Sequence, residues 1–216
     1  RMSGLLAGLP WQVGGETINR LCASGMASTI NAARAIKDGA GDLYISGGVE
    51  NMTRGPWVFS KASKPFGRDS QMHDSSFGWR FINPKMKELY GTDAMGSTAE
   101  NLVELYGIER EAQDKFSMWS QQKATAARES GVLGQEIVPV EIPQRKKDSI
   151  IFSQDEFIRS NTTMETLGGL RPAFKKEGGS VTAGNSSGLN DGAAAMLVGS
   201  QEIVLKHGLK PLARIV

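Results

Sequence analysis

The sequence predicts an α/β fold that begins with a βαβ unit, and three consecutive stretches near its start carry that prediction. The first, "WQVGGETINRL" (Trp11–Leu21), contains the β-branched residues typical of a strand. The second, "SGMASTINAARAIKDG", is rich in small residues and has the apolar spacing of a helix. The third, "DLYISGG", is a short apolar run that predicts another strand. Strand, helix and strand in direct succession predict a parallel sheet.

The predicted helix has apolar side chains three or four residues apart, and Gly39 is placed to end it. Its expected buried face consists of Met26, Ile30, Ala33 and Ile36. After the second strand, residues 51–96 lack a clear period and contain scattered prolines and aromatics. A segment of this length and irregularity is predicted to be an inserted or covering segment with a functional role.

The second half of the chain predicts further helices and strands. Ser97 and Glu100 have the spacing of a capping box, which predicts that a helix starts there. A longer helix is predicted over 110–130, with Phe116, Trp119 and Ala126 on its apolar stripe. The remaining predicted elements are strands in "QEIVPVEIP" and "DSIIF" around the turn "QRKK", a short helix in "TTMETLGGLRPAF", a buried strand over 193–198, a helix in "SQEIVLKHG" and a strand in "KPLARIV".

Composition excludes several classes of protein. With 39% hydrophobic and 22% charged residues among 216, the chain is typical of a globular protein rather than a disordered one. A formal net charge of +2 is too balanced to indicate a protein that binds nucleic acid or a membrane surface. The single cysteine rules out an internal disulfide, and no C-x-x-C pair indicates a metal site. These features favour a reducing compartment, so we expect a cytoplasmic location.

Cys22 lies where the first predicted strand meets the helix. At the N-terminus of a helix, free N–H groups and the helix dipole favour the thiolate, which is the nucleophilic form of cysteine. Ala23, Ser24 and Gly25 are small enough to admit a substrate carbonyl, and the Cys22 N–H is a candidate oxyanion donor. The alternative is that Cys22 is a buried, inert residue, as free cysteines often are. Position alone leaves both interpretations open.

Five motifs, in this order, resemble those of the thiolase family of acyl-CoA C-acyltransferases: "INRLCASGMAST", "SGGVENMT", "MGSTAEN", "LRPAF" and "VTAGNSSGLNDGAAA". The resemblance covers essentially the whole chain and implies a thiolase-like fold, with a partial N-terminal αβα half and an inserted loop domain. "FGWRFINPKM" further resembles the branch that acts on 3-oxoadipyl-CoA. The implied domains are 1–56 for the nucleophile-bearing part, 57–190 for the CoA-binding loop domain, 191–210 for the return to the N-terminal domain and 211–216 for the first strand of a C-terminal domain. We therefore expect an internal fragment of a thiolase.

The resemblance also implies a reaction and a binding site. Cys22 would carry the acyl group while a 3-ketoacyl-CoA is cleaved by CoA to acetyl-CoA and a shortened acyl-CoA, or during the reverse Claisen condensation. Coenzyme A would be a substrate, with no covalently bound cofactor, and the enzyme would be a homodimer or homotetramer. In the loop domain, Arg159 would lie beside the adenine and Ser187 would hydrogen-bond the pantetheine. The residues implied to line the tunnel are Ala183, Gly184, Met95 and Phe174.

Each of these residues also has a plainer interpretation. Arg159 on its own is typical of a solvated surface charge, and Met95 or Phe174 of ordinary core. The glycine-rich "TAGNSSGLNDG" is also typical of a turn before a strand.

The chain departs from the family pattern in three ways. The Gly-His-Pro histidine, the second catalytic cysteine and the Asn-Glu-Ala-Phe motif are not in this sequence, and its only histidines are His73 and His207. Loss of a base or an oxyanion donor costs orders of magnitude in rate, so the isolated chain is expected to turn over poorly or not at all. An alternative is a non-catalytic module that binds CoA or an acyl thioester and is derived from a thiolase. A second alternative is the ketosynthase side of the superfamily, whose substrates are bound to carrier proteins, and "GWRFINPKM" and the long loop segment count against it.

Overall fold

The structure, a computed structural model, describes the whole chain, Arg1–Val216. Its helices are α1 (Met2–Leu6), α2 (Ser24–Lys37), α3 (Pro84–Tyr90), α4 (Met95–Tyr106), α5 (Arg110–Glu129), α6 (Met164–Gly168) and α7 (Gln201–Lys206). Its strands are β1 (Leu43–Glu50), β2 (Trp57–Phe59), β3 (Met72–Asp74), β4 (Val140–Gln144), β5 (Lys147–Phe152) and β6 (Gly192–Gly199). None of the helices is both long and apolar enough to cross a membrane.

The chain divides into two units. The first unit comprises Arg1–Arg54 and Asn190–Val216, and the second comprises Gly55–Leu189. The second unit is thus inserted in sequence between β1 and β6 of the first. The four-part domain division made from the motifs stays a prediction.

The first unit contains a two-stranded sheet, and its direction corrects the sequence prediction. β1 pairs with β6 in antiparallel register, from Leu43 opposite Gly199 to Glu50 opposite Gly192. Trp11–Leu21 forms no strand, and its one backbone pairing is an isolated bridge at Arg20. A strand needs a neighbouring strand to pair with, and this segment has none. The parallel βαβ sheet predicted from local pattern is therefore wrong for this chain.

Helix α2 packs on the first unit's sheet through small side chains. Ala27 and Ala32 are buried, whereas Met26 is 72% exposed, so the predicted apolar stripe is not the buried face. Small side chains let the helix lie close to β1, where the buried Ser46 hydroxyl hydrogen-bonds those of Ser28 and Thr29 on α2 at 2.8 and 2.9 Å.

The predicted end of α2 at Gly39 is confirmed. Gly39 has φ +71° and its N–H donates to the Ile36 carbonyl at 3.1 Å, while the Ala40 N–H donates to the Ala35 carbonyl at 2.9 Å. These two bonds satisfy carbonyls that the helix end leaves free, and the positive φ suits glycine. The helix therefore ends in a Schellman motif.

The second unit contains two antiparallel hairpins, β2 with β3 and β4 with β5, and helices α3 to α6. The predicted strands around "QRKK" are confirmed as the β4–β5 hairpin, which has a bulge between Ile142 and Gln144. The short helix in "TTMETLGGLRPAF" is confirmed as α6, with Thr163 and Thr166 forming a capping box. The predicted final helix is confirmed as α7, capped by the Ser200 side chain.

Two predicted helices exist but bury different residues from those expected. In α5, Phe116 and Trp119 are 65% and 52% exposed, while Asp114 is buried. Helix α4 begins at Met95 with no side-chain cap, so the predicted capping box is wrong. Its Glu100 is buried and accepts hydrogen bonds from the loop that precedes β6. In both helices a polar tertiary contact decides which face is buried.

The predicted C-terminal strands also differ from expectation. β6 covers the predicted strand, but only Val198 of its residues is buried, because β6 has a single neighbouring strand and part of the sheet is uncovered. Residues 211–216 form no strand. Their assignment to the start of a further domain stays a prediction.

Candidate active site

Cys22 lies on the surface of the first unit, two residues before α2. The exposed thiol contradicts the alternative of a buried, inert cysteine. Immediately before it, Leu21 has φ +52°, a conformation that non-glycine residues rarely adopt. A positive φ at a bulky residue costs on the order of 1–3 kcal/mol and persists only where the surroundings impose it. Backbone strain of this kind is typical of functional sites.

Polar side chains impose the turn that carries Cys22. The Ser24 hydroxyl donates to the Leu21 carbonyl at 2.6 Å and accepts from the Arg20 N–H at 2.9 Å. The Asn19 carboxamide oxygen accepts from the Leu21 N–H at 3.0 Å. Ser24 is also the first residue of α2, so one side chain joins the turn to the helix. The backbone that precedes Cys22 is therefore held by side chains on both sides of the cysteine.

The electrostatic setting of Cys22 is that of a helix N-terminus. Helix α2 has 14 residues, and no side chain caps its first turn. The first N–H groups of a helix have no intrahelical acceptor and carry partial positive charge. Cys22 therefore lies beside the N-terminal end of the α2 dipole. No group of three or more His, Cys, Asp or Glu side chains is placed to hold a metal ion.

In the second unit, three of the predicted CoA contacts lie on one loop, residues 180–188. The Thr182 hydroxyl, which is fully buried, accepts from the Gly184 and Asn185 N–H groups, both at 3.2 Å. The Asn185 side chain accepts from the Thr182 N–H at 2.7 Å. These reciprocal bonds close a tight turn. Ala183 and Ser187 are exposed on this turn, and Gly184 is partly buried.

Phe174 and Met95 lie together beside the start of α4. The Phe174 ring lies directly against Gly96, so closely that a Cβ atom at this position would overlap it. Met95, next to this glycine, is 82% exposed. The Ala173 N–H donates to the Val181 carbonyl at 2.8 Å, which joins this segment to loop 180–188.

Arg159 approaches the same loop from another side. Its side chain is exposed, and its guanidinium carbon lies 6.0 Å from the centre of the Phe157 ring. That ring in turn contacts Gly188 at a distance that leaves no space for a Cβ. The Arg159 N–H donates to the Gln121 side chain on α5 at 2.8 Å. All six predicted CoA contacts are thus on connected segments of the second unit, while Cys22 belongs to the first.

Sequence reasoning missed the polar contacts that support this loop, which are made by the buried carboxylates of Glu100 and Asp114 and by the partly buried Asn185. Arg110 and Asp114 are four residues apart on α5, a spacing that predicts an ion pair on a helix, and they form one at 2.8 Å. That spacing could have indicated the pair. Nothing in the sequence indicated that its carboxylate would be buried against Asn185.

Three charged residues outside the predicted site have shifted pKa values, and hydrogen bonds from Ser63 lower that of the Asp69 carboxyl. Hydrogen bonds from Thr53, first from its hydroxyl and then from its N–H, hold the pKa of the Asp191 carboxyl below its ordinary value. This contact joins the end of β1 to the start of β6 in the first unit. In the second unit, the Glu104 carboxylate raises the pKa of the Lys175 ammonium, to which it is hydrogen-bonded.

Adding a methyl group at Gly184 should disturb the loop. A Cβ there would lie 2.5 Å from a Leu170 methyl and 2.6 Å from a Leu167 methyl. We expect Gly184→Ala to lower the free energy of unfolding by about 1–3 kcal/mol, as overpacking does. Thermal and urea denaturation of the second unit measure this. Gly134→Ala is the matched control, since its Cβ would meet nothing within 4 Å. Equal stability of the two variants would contradict the prediction.

Comparison with known proteins accounts for the order of the motifs. A family model described as "Thiolase, N-terminal domain" matches residues 1–202. A beta-ketoadipyl-CoA thiolase of Acinetobacter baylyi is 52% identical over 216 residues, which are 100% of this chain and 54% of that protein. The crystal structure of human mitochondrial 3-ketoacyl-CoA thiolase superposes with a TM-score of 0.86 at 36% identity, covering 100% of this chain and 53% of that one.

The same human enzyme in complex with CoA superposes with a TM-score of 0.83 at 35% identity, covering 98% of this chain and 51% of that one. The chain therefore spans about half the length of the relatives that it matches. The superpositions confirm the predicted thiolase-like α/β fold. Because the family model covers nearly the whole sequence, the chain belongs to the thiolase family.

Proposed function

We propose that the full-length protein is an acyl-CoA C-acyltransferase that cleaves 3-ketoacyl-CoA through an acyl group on Cys22. The Cys22 thiolate attacks the keto carbon, and the bond between C2 and C3 breaks. The electron pair of that bond leaves with the two-carbon fragment, which takes up a proton to become acetyl-CoA. The thiol of free CoA then attacks the acyl-cysteine, loses its proton and releases the shortened acyl-CoA, which regenerates the Cys22 thiolate. The reverse sequence is a Claisen condensation.

The exposed thiol beside the start of α2 is the observation that carries this proposal. The turn held by Asn19 and Ser24 presents the sulfur outside the apolar core. The helix N-terminus next to it favours negative charge on the thiolate and on the oxygen that develops during attack. The Cys22 N–H is the donor proposed for that oxygen. The general base and acid would come from parts of the protein outside this chain.

The second unit is proposed to bind CoA. Ser187 and Ala183 face outward on a loop whose backbone is fixed by Thr182 and Asn185, which suits hydrogen bonding and packing along the pantetheine arm. Arg159 is proposed to lie beside the adenine, with Phe157 beneath its guanidinium. Gly184, Met95 and Phe174 would complete the tunnel wall. A related thiolase has been solved in complex with CoA, which supports the proposal.

The proposed substrate is 3-oxoadipyl-CoA, a 3-ketoacyl-CoA that ends in a second carboxylate. The 52% identity to a beta-ketoadipyl-CoA thiolase supports this choice, as does the "FGWRFINPKM" segment. Cleavage at C3 would leave a four-carbon succinyl group on Cys22. We further propose a cytoplasmic homodimer or homotetramer, as the family resemblance implies.

Trapping the acyl group on Cys22 tests the proposal. Full-length protein is mixed with 3-oxoadipyl-CoA without free CoA, quenched in acid and digested with trypsin. The mass of the peptide Leu21–Arg34 is then measured by mass spectrometry. We expect a succinyl adduct on this peptide and none after CoA is added. Iodoacetamide added at neutral pH before the acid quench should not alkylate Cys22 in the acylated protein.

The outcomes separate the proposal from its alternative. If the protein binds CoA but no acyl-CoA ever modifies Cys22, it is a non-catalytic CoA or acyl-thioester binding module. An acetyl adduct from acetoacetyl-CoA, with none from 3-oxoadipyl-CoA, would support the proposed acyltransferase activity and contradict the proposed substrate. Absence of both binding and acylation would overturn both functions.

A further inference from the structure

We infer that Asp114 and Asn185 are positioning residues that fix loop 180–188 for CoA. Asp114 is only 2% exposed, although its α5 neighbours on the other faces of the helix are open to solvent. One of its carboxylate oxygens accepts from the Asn185 side-chain amide at 2.9 Å, and the other accepts from the Arg110 Nε at 2.8 Å. A buried carboxylate with both oxygens engaged holds its partners in one geometry.

Asn185 uses its whole side chain to shape the loop. Its amide nitrogen donates to Asp114 and to the Ser180 carbonyl at 3.0 Å, and its oxygen accepts from the Thr182 N–H at 2.7 Å. It therefore joins the beginning of the loop, the turn and α5. Ser187 follows two residues later, so the position of Asn185 sets where the Ser187 hydroxyl lies.

The helix side of this network is itself anchored. An Arg110 Nη donates to the Leu167 carbonyl at 2.6 Å and to the Leu170 carbonyl at 3.1 Å, at the end of α6. The Gln113 side chain donates to the Ser180 hydroxyl at 2.9 Å. The first turn of α5 thus forms a polar platform under the loop. Because α5 packs against the loop through these polar side chains, its aromatic residues Phe116 and Trp119 lie on the exposed face.

The inference rests on the proposed CoA site and adds its supporting residues. Neither Asp114 nor the Asn185 side chain is expected to contact CoA, since both are engaged beneath the loop. Without them the loop would have to be ordered by the ligand, and the cost of ordering lowers affinity. The effect should therefore appear in CoA binding and leave the chemistry at Cys22 unchanged.

Three variants of the full-length protein test this. N185D breaks the bond between positions 114 and 185, because it places two acceptors opposite each other. D114N leaves a single acceptor oxygen for two donors, the Asn185 amide and the Arg110 Nε, so it breaks one of the two bonds that Asp114 makes. We expect each to weaken CoA binding by calorimetry about tenfold, with KM for CoA raised and kcat at saturating CoA within about twofold. The double variant D114N/N185D restores a donor and an acceptor with the same total charge. It should recover most of the affinity, though not the bond to the Ser180 carbonyl.

The control is E129Q, an acid-to-amide change at an exposed position on the same helix, which should bind CoA as the wild type does. The rate of Cys22 alkylation by iodoacetamide should be the same in all variants. Equal CoA affinity in wild type, D114N and N185D would overturn the inference while leaving the proposed function intact. Absence of CoA binding in the wild type would overturn both.

A merely structural role would give a different pattern. In that case alkylation of Cys22 and CoA affinity would change together, and the double variant would recover neither, which would also overturn the inference. Should D114N fail to fold, Gln113→Ala removes two neutral hydrogen bonds of the same platform, one to the Ser180 hydroxyl and one to the Ile108 carbonyl. It is expected to weaken CoA binding about threefold at unchanged kcat, and no weakening would refute the role of the platform.

Discussion

Cys22→Ser in the full-length protein should lower kcat for cleavage of 3-oxoadipyl-CoA by CoA by about 10³-fold or more, because loss of a covalent nucleophile removes the acyl-enzyme route. A serine hydroxyl has nearly the same shape as the thiol but remains protonated at neutral pH, and the N-terminus of α2 is too weak a field to ionise it. The substitution should not affect folding, since the Cys22 side chain is exposed and no hydrogen bond of the turn uses it. Steady-state kinetics and thermal denaturation measure the two effects.

A matched control separates the loss of the thiol from any disturbance of the helix. Met26 lies in the first turn of α2 and is 72% exposed, so Met26→Leu should leave both kcat and stability near the wild-type values. CoA affinity should also be unchanged in Cys22→Ser, since the proposed CoA contacts are in the second unit. If Cys22→Ser retained a tenth of the wild-type kcat, the acyl group would have to be carried elsewhere.

The turn before Cys22 shows what local sequence can and cannot predict about a site. The position of the cysteine at a helix N-terminus was predictable, because the change to small residues and the helical period are local signals. The positive φ at Leu21 was not, since its support comes from the particular hydrogen bonds of Asn19 and Ser24. The sequence therefore indicated the residue and its neighbourhood but not the geometry that presents the thiol.

The same division applies to the fold. Helix α2 and the β4–β5 hairpin were predictable from caps, turns and periodicity, which depend on neighbours in sequence. The antiparallel pairing of β1 with β6 was not, because the two strands are separated by the whole second unit. Strand direction is a property of a pair, and no pattern within one strand specifies its partner.

Glu100 is the clearest case in which a local signal was correctly noticed and wrongly interpreted. Its spacing from Ser97 is that of a capping box, but its carboxylate is directed away from the helix start. One oxygen accepts from the Ser180 and Val181 N–H groups at 2.9 and 2.8 Å, and the other is 3.3 Å from the Ser180 hydroxyl. A carboxylate that accepts from two buried backbone N–H groups contributes more to stability than one that caps an exposed helix end.

Glu100→Ala should therefore lower stability strongly. The substitution would leave the Ser180 and Val181 N–H groups without a partner in a buried position, since Glu100 is only 4% exposed. Each unsatisfied buried donor costs about 1–3 kcal/mol, so we expect the free energy of opening at these two amides to fall by about 2–6 kcal/mol. Hydrogen exchange at Ser180 and Val181 measures this directly.

Glu104→Ala is the matched control because it changes the same residue type one turn further along α4. Glu104 is paired with Lys175 on the surface, with both side chains largely exposed, and such pairs contribute about 0–1 kcal/mol. Glu100→Gln should fall between the two alanine variants, since its amide oxygen can still accept from both N–H groups. The amide nitrogen that replaces the second oxygen cannot accept from the Ser180 N–H, which that oxygen does at 3.2 Å in the wild type. If exchange at Ser180 and Val181 were as slow in Glu100→Ala as in Glu104→Ala, the loop would owe its structure to α5 alone. Exchange at these two amides that is fastest in Glu100→Ala, slower in Glu100→Gln and slowest in the wild type would instead show that α4 and α5 both hold loop 180–188.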